Sequence, residues 1–260
     1  MESPILTSID PAVICIILFG LMLLIIAFGN SLRKKIGAEE GDTKGGVNSL
    51  LGALFGLWGF ILAFTFSQSG SRFENVRSLI VEEATVLRTT IIKADFFPDS
   101  IRNTYRAQLH NYLEERISYY ENAMDEAKFK KNREELLKTS EALWATNVAQ
   151  FKNPATNAAA ANMTLSLTTL FDIGIKREAL LVAGLPSPIS FMLVFLALSI
   201  CFVGGFTSPI IKRKEWIIVA VFAFLASTVL YITIDLARPM EGLIKPDAGQ
   251  AYIVNLCRFF

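Results

Sequence analysis

The chain contains four long apolar runs without a charged side chain, at residues 11–29, 47–66, 188–211 and 216–234. A helix needs about 20 apolar residues to cross the hydrocarbon core of a bilayer. A water-soluble domain buries apolar residues with a helical or strand period and does not need uncharged runs of this length. The pattern therefore predicts an all-α integral membrane protein, with four transmembrane helices paired in two hairpins.

The first apolar run has an alternative interpretation as a secretory signal peptide. Such a peptide begins with a basic segment and ends at a small-residue cleavage site. Residues 1–11 contain no Lys or Arg, and no such site precedes the basic residues 33–35. We therefore favour a membrane helix.

A polar stretch separates the two hairpins, and its apolar residues, such as Tyr105 and Leu113, follow a helical period. Breaks between helices are expected at FFPDS (residues 96–100) and NPATN (residues 153–157). Asn132 and Glu135 have the spacing of a capping box that opens a helix. The predicted organisation is a first hairpin (residues 1–66), a helical extramembrane insertion continuous with the second membrane helix (67–187), a second hairpin (188–236) and an amphipathic C-terminal tail (237–260).

The second apolar run continues into the polar stretch without a proline, as FILAFTFSQSGSRFENVRSLIVEEA. We therefore predict a single helix from about Val47 to Lys93, with Gly70 as its weak point. Small residues recur on one face of this helix, and such faces let membrane helices pack closely. This small-residue stripe, which predicts a packing seam, consists of Gly52, Gly56, Gly59, Ala63, Ser67 and Gly70.

The opposite face of the same helix carries Thr65, Gln68 and Arg72. One interpretation is a lipid-facing side, with Gln68 and Arg72 at the level of the headgroups. The other is the wall of a central pathway in an oligomer. In that case Phe60 and Phe64, one turn apart, form an apolar constriction.

Charges of both signs follow the second and fourth apolar runs, which end on the same side of the predicted membrane. Glu74 and Arg77 continue the small-residue face, and Asp235 and Arg238 follow the fourth run. We expect Glu74 or Arg77 to form a salt bridge with Arg238 or Asp235. The alternative is that these are solvated surface charges or contact lipid headgroups.

Basic residues in short loops mark the cytoplasmic side of a membrane protein. The first loop carries the basic residues 33–35 and Lys44, and the last loop carries the basic residues 212–214. This distribution places both termini and the helical insertion outside the cytoplasm. Arg72 and Arg77 flank the other side and count against this orientation.

Three stretches resemble the bestrophin-like membrane proteins of bacteria: LAFTFSQSGSRFENVRSLIVEEATVLRTT (62–90), ADFFPDSIR (94–102) and DLARPMEGLIKP (235–246). Their order and spacing also fit, so the resemblance spans most of the chain. A more distant similarity to true bestrophins implies a homo-oligomeric, anion-permeable channel whose second membrane helix lines the pore. Two features differ from bestrophins. The acidic run with which they bind calcium is missing after the fourth apolar run, and they keep the insertion in the cytoplasm.

Residue patterns typical of catalysis, cofactor binding or metal binding are missing from the sequence. His110 is the only histidine and lies in a predicted helix, and the three cysteines are far apart. Glu82 and Glu83 point in different directions around a helix, and we expect both at the surface. The sequence contains neither a nucleophile elbow nor a phosphate-binding glycine loop. We expect no enzyme activity, no cofactor and no metal site.

The net charge of +1, without a basic stripe, gives no indication of nucleic-acid binding. The apolar runs also lack the carboxylate, lysine or histidine that proton-coupled transporters place at mid-membrane.

Our first hypothesis is a homo-oligomeric, anion-preferring ion channel of a bacterial inner membrane, whose partners are lipid, further copies of the chain and inorganic anions. The alternative is a membrane-anchored sensor or assembly scaffold whose insertion binds a partner. A water-filled lumen bordered by Thr65, Gln68 and Arg72 would favour the channel.

Overall fold

A computed structural model describes residues 11–36, 44–122, 125–182, 185–208, 215–238 and 243–260. Within these ranges the chain forms α-helices, short 3-10 turns and connecting segments, and no strand. The all-α prediction is therefore confirmed. The helices are α1 (Pro11–Ile36), α2 (Lys44–Lys93), α3 (Asp99–Glu121), α4 (Glu126–Phe151), α5 (Asn157–Val182), α6 (Ser187–Thr207), α7 (Glu215–Leu236) and α8 (Asp247–Asn255), with 3-10 turns at Ala94–Phe96 and Leu256–Phe259.

Helix α2 runs from Lys44 to Lys93 without interruption, which confirms the predicted single helix. It ends where expected, because Phe97 adopts an extended conformation before Pro98 and α3 then begins at Asp99. A residue that precedes proline is disfavoured in the helical conformation, so the FFPDS signal has a direct physical cause.

The predicted start of α4 at Asn132 is wrong, because the helix already begins at Glu126. The side chain of Asp125 accepts a hydrogen bond from the backbone N–H of Lys128 at 3.1 Å. This bond satisfies one of the free N–H groups at the start of the helix, so a second cap at Asn132 is not needed.

The chain divides into two compact units, and α2 contributes to both. The first unit contains α1, α2 as far as Arg72, α6 and α7. The second unit contains α2 from Phe73 onward, α3, α4, α5 and α8. The domain boundaries proposed from the sequence stay a prediction.

The first unit is built around α1, which packs against both α6 and α7. Trp58 of α2 joins this bundle by donating its indole N–H to the carbonyl oxygen of Leu193 at 3.2 Å. The buried core of the unit consists of Met22, Ile26, Trp58, Leu62, Leu193, Ala197, Ile200, Cys201, Ala223, Ala226 and Leu230.

Helices α1 and α6 approach closely at Gly29 and Gly205. A Cβ atom on Gly29 would lie 2.6 Å from the carbonyl oxygen of Phe202, and one on Gly205 would collide with the backbone of Ile26. Because glycine lacks a side chain, the two backbones come together there. Close helix packing in this unit therefore uses glycines of α1 and α6.

The second unit has a larger apolar core to which α2, α3, α4, α5 and α8 all contribute. The C-terminal segment belongs to this unit, since Ile253 and Leu256 are buried in the same cluster. Other members of this core are Val76, Ile80, Leu87, Ile91, Tyr105, Leu109, Leu113, Leu143, Met163, Leu167 and Leu170.

Five of the described helices, α1, α2, α5, α6 and α7, are long and apolar enough to cross a membrane. Helix α5 is the least apolar of the five and had been assigned to the extramembrane insertion. It carries Arg177, which is buried inside the second unit. The described helices thus establish an integral membrane protein, and the arrangement of four spans in two hairpins stays a prediction.

Candidate functional site

The first unit buries one face of α2, which consists of Trp58, Leu62, Thr65 and Ser69. Thr65 is 2% exposed, and its hydroxyl donates to the carbonyl oxygen of Ile61 at 2.7 Å. Thr65 therefore lies on the packed face of α2. This differs from the expectation that Thr65 shares an open face with Gln68.

The exposed surface of α2 carries Phe60, Phe64 and Gln68 in one row along the helix. Their four-residue spacing places them one turn apart. Phe60 is 73% exposed and Phe64 is 59% exposed, and Gln68 is also exposed. Arg72 continues the row by one further turn and is half-buried.

The described residues leave the small-residue stripe of α2 uncovered. A Cβ atom on Gly52, Gly56, Gly59 or Gly70 would meet no atom of the described part of the chain within 4 Å. Among the described helices, the expected packing seam therefore does not form, and the stripe leaves an open surface without large side chains beside Phe60 and Phe64.

Three of the charges that were expected to join α2 to α7 have local partners. Arg77 and Glu74 form an exposed ion pair at 3.4 Å. Asp235 is buried, and its carboxylate accepts hydrogen bonds from the backbone N–H groups of Leu243 at 3.0 Å and Ile244 at 2.9 Å. The salt bridge of Glu74 or Arg77 with Arg238 or Asp235 stays a prediction.

The second unit contains a buried charge cluster formed by Glu83, Arg116 and Arg177, from α2, α3 and α5. Arg177 donates to Glu83 Oε2 at 2.8 Å, and the Nε group of Arg116 donates to Glu83 Oε1. The hydroxyl of Tyr112 also donates to Glu83 Oε1, at 3.3 Å. One carboxylate thus holds together three helices of this unit.

The expectation that Glu83 is a surface acid is wrong, since its side chain is 1% exposed. Its position does carry a signal in the sequence. Val76 and Ile80 precede Glu83 by seven and three residues, and Leu87 follows it by four. All three are buried. Residues at these spacings share one helix face, so Glu83 belongs to the apolar face of α2.

The two arginines keep Glu83 charged. Burial by itself raises the pKa of Glu83, but the charges of Arg116 and Arg177 and the hydrogen bonds that they donate outweigh this effect. The pKa of Glu83 is therefore lowered from its ordinary value. Burial also raises the pKa of the Tyr112 hydroxyl, and there the net pKa stays raised, so the hydroxyl stays protonated as a hydrogen-bond donor.

A cavity of about 530 Å³ lies beside this cluster, between α3, α4 and α5. Arg116 is among its lining residues, and apolar side chains line most of the rest, among them Leu136, Trp144, Phe171 and Ile175. Among the described residues, no group of three His, Cys, Asp or Glu side chains is arranged to hold a metal ion.

A family model described as the Bestrophin-like domain matches residues 14–245. The chain belongs to the bestrophin-like family. The match covers the three stretches of resemblance almost completely and confirms the relationship expected from them.

Solved structures show the same bestrophin-like fold. A bacterial bestrophin homologue from Klebsiella pneumoniae superimposes with a TM-score of 0.69 at 14% identity, over 94% of this chain and 97% of the homologue. A point variant of a Klebsiella pneumoniae homologue gives a TM-score of 0.71 at 13% identity, over 94% and 99%. A variant described as a membrane protein gives 0.72 at 13% identity, over 94% and 98%.

Because these sequence identities are low, the structural matches show that the fold is shared and nothing more. None of the curated proteins matches the chain. The roles of individual residues in this bestrophin-like protein must therefore be argued from their own geometry.

Proposed function

We propose that this bestrophin-like protein is a homo-oligomeric ion channel with a preference for anions, and that α2 lines its pore. Phe60 and Phe64 form the apolar constriction, Gln68 follows toward one end, and Arg72 lies at the mouth. Thr65 packs inside the subunit and has no contact with the pathway. Membership of a family related to channels rather than enzymes supports this function.

The observation that carries the proposal is the uncovered row of aromatic side chains next to the small-residue stripe. The opposite face of α2 holds the helix on its own bundle through Trp58 and Leu62. Glycines such as Gly56 and Gly59 let α2 helices from neighbouring subunits approach closely. In a symmetric ring of such helices, the row from Phe60 to Gln68 faces the axis.

Arg72 accounts for the anion preference. A ring of arginines at a narrow, low-dielectric mouth focuses its field and raises the local anion concentration. Salt weakens this effect, because screening at 0.15 M ionic strength acts over about 8 Å. The preference for anions should therefore decrease as the salt concentration rises.

Reversal potentials test this assignment. Purified protein in planar bilayers under a KCl gradient should reverse near the chloride equilibrium potential. The Arg72→Glu variant should shift the reversal potential toward that of potassium, because it replaces a ring of positive charge by a negative one. Arg77→Glu is the matched control, since Arg77 is exposed and paired with Glu74, and it should leave the reversal potential close to wild type.

Two results would contradict parts of this account. An unchanged reversal potential in Arg72→Glu would show that Arg72 does not set the selectivity. Absence of current at all voltages, pH values and calcium concentrations would reject the channel.

The membrane-anchored scaffold is the second candidate, and the surface of the second unit favours it. Leu137, Phe151, Leu165 and Ile175 are each about half or more exposed, at 56%, 49%, 68% and 67%. Leu137 and Ile175 line the same cavity and therefore lie close together, and a contiguous exposed apolar patch is typical of a surface that a partner covers. Conduction by the purified protein alone would reject a role as scaffold only.

A further inference from the structure

The cavity of the second unit is lined by one side of α4 and one side of α5. On α4, Leu137, Glu141 and Trp144 follow one another at spacings of four and three residues, so they share a helix face. On α5, Asp172 and Ile175 are three residues apart and also line the cavity. The volume of about 530 Å³ lies in the range of about 300 to 1,000 Å³ that is typical of small-molecule sites. An apolar wall that carries carboxylates therefore borders enough space for a small molecule.

Two of the carboxylates at the cavity are left without an opposite charge. Glu141 and Asp172 are exposed, and neither forms an ion pair with any residue in the described part of the chain. The third carboxylate, that of Glu178, is paired with Arg133 at 2.7 Å. The cavity therefore offers negative charge at two positions, one on α4 and one on α5.

Arg116 also lines the cavity but presents little of its positive charge there. It is 2% exposed, and its Nε group donates to the carboxylate of Glu83. Its Nη2 atom is buried, and a Cβ atom on Gly174 would lie 2.6 Å from it, so the backbone of α5 packs against this end of the guanidinium. The exposed carboxylates therefore determine the charge that the cavity attracts.

The net charge around the cavity has the same sign. Three carboxylates line the cavity, and Glu83 lies behind it as a fourth. The guanidiniums that pair with these carboxylates are those of Arg116, Arg133 and Arg177, so four negative and three positive charges leave a net charge of −1. One bound positive charge would balance this group, whereas an anion would meet the exposed carboxylates.

Trp144 supplies an aromatic surface next to one of these carboxylates. It follows Glu141 by three residues, and side chains at this spacing on a helix have Cβ atoms about 5–6 Å apart. Trp144 is 40% exposed, so part of its surface is open to a ligand. The face of a tryptophan ring attracts a cation, and a carboxylate nearby adds to this attraction.

We propose that the cavity binds a small organic cation, an amine or ammonium compound with an apolar body. Trp144, Glu141 and Asp172 hold its positive charge. Its apolar part packs against Leu136 and Phe171, which line the same cavity and are partly buried. Aromatic and acidic side chains thus act together, since the aromatic ring and the apolar wall add affinity that screened surface carboxylates alone do not provide.

Calorimetric titration of the full-length protein in lipid nanodiscs tests the site independently of conduction, after subtraction of a titration into empty nanodiscs. The probe is 2-phenylethylammonium, and the neutral control of similar size is 2-phenylethanol. We expect saturable binding of the ammonium compound, with the alcohol weaker by roughly tenfold, because the alcohol lacks the charge. High salt should reduce this difference, because it screens the exposed carboxylates.

Charge variants identify the residues that recognise the cation. The double variant Glu141→Gln/Asp172→Asn should weaken binding of the ammonium compound severalfold and leave binding of the alcohol unchanged. Both positions are exposed, so the fold should tolerate the replacements. Glu134→Gln is the matched control, since Glu134 is an exposed acid of α4 that does not line the cavity, and it should bind like wild type.

Two further variants of α4 locate the binding. Ala145 lines the cavity, whereas Ala149, one turn further along the exposed side of α4, does not. Ala145→Trp should fill the cavity and abolish binding, and Ala149→Trp should bind like wild type. Lack of saturable binding, equal binding of the two probes, or equal affinity of the double variant and Glu134→Gln for the ammonium compound would each overturn the proposal.

Discussion

Glu83 is a buried carboxylate shared by two arginines, and its removal leaves two positive charges without their partner. We expect Glu83→Gln to destabilise the protein by roughly 3–5 kcal/mol, which is typical when one member of a buried ion pair is removed. Chemical denaturation of the purified protein, followed by a probe of the second unit, measures this change. The pKa of Glu83 is lowered in the folded state, so its contribution is present above the ordinary value of 4.5 and is lost as the pH falls through the folded pKa.

Glu82→Gln is the matched control for this prediction. Glu82 is the adjacent acid and is exposed, so its replacement should change the free energy of unfolding by about 0.5 kcal/mol or less. If the two variants unfold at the same denaturant concentration, the buried cluster does not stabilise the second unit.

At the scale of single residues, the sequence predicts which side chains are buried better than it predicts their hydrogen-bond and ion-pair partners. The apolar spacing around Glu83 contains the information that this acid is buried, but charge alone had favoured the surface. The partners Arg116 and Arg177 lie on α3 and α5, and no local pattern links them to Glu83. Thr65 had been assigned to the open face of α2 because it lies opposite the small-residue stripe, yet it is buried and its hydroxyl bonds to its own backbone at Ile61.

At the scale of helices, the contact of α1 with α6 depends on Gly205. A methyl group at this position would collide with the backbone of Ile26, which cannot move aside as a side chain can. We expect Gly205→Ala to lower stability by roughly 1–3 kcal/mol, the usual effect of overpacking. Thermal unfolding of the detergent-solubilised protein measures this effect.

The neighbouring Gly204 supplies the control for Gly205. A Cβ atom on Gly204 would meet no described residue within 4 Å, and alanine favours the helix by about 1 kcal/mol relative to glycine. Gly204→Ala should therefore keep or raise the melting temperature. A drop in both variants would show that the effect is not due to the contact with α1.

Helix boundaries could be predicted where a local cause fixes them. The end of α2 follows from Pro98, and the continuity of α2 follows from the lack of a breaker between Val47 and Lys93. The packing seam could not be predicted, because a stripe of small residues allows a close approach without specifying its partner. Among the described helices, α1 and α6 pack closely at Gly29 and Gly205, while the longer stripe of α2 stays open.

At the scale of the whole molecule, the uncharged apolar runs predict a membrane protein because lipid admits few charges. The orientation depends on basic loops, and the basic residues 212–214 lie outside the described part of the chain. We propose that the helical insertion faces away from the cytoplasm. Cysteine labelling tests this orientation, using Glu134→Cys in α4 and Lys35→Cys at the end of α1, both at exposed positions.

The labelling requires a Cys257→Ser background, because Cys257 is exposed. A membrane-impermeant maleimide added to intact spheroplasts should label Glu134→Cys and should reach Lys35→Cys after lysis only. The reverse pattern would place the insertion in the cytoplasm, as in true bestrophins.

The central claim is that the exposed row of α2, and not its packed face, lines an ion pathway. Phe64 and Thr65 are adjacent in the chain and differ in exposure, at 59% and 2%. Cysteines at these two positions therefore sample the two faces at almost the same depth. The background variant lacks Cys15, Cys201 and Cys257.

The most direct measurement is the current through reconstituted Phe64→Cys and Thr65→Cys channels before and after a charged, water-soluble methanethiosulfonate reagent is added. We expect the reagent to change or block the current of Phe64→Cys, because its thiol faces the pathway, and to leave that of Thr65→Cys unchanged. Modification of Thr65→Cys alone, or an equal response of both variants, would contradict the assignment of the pore to the exposed face of α2.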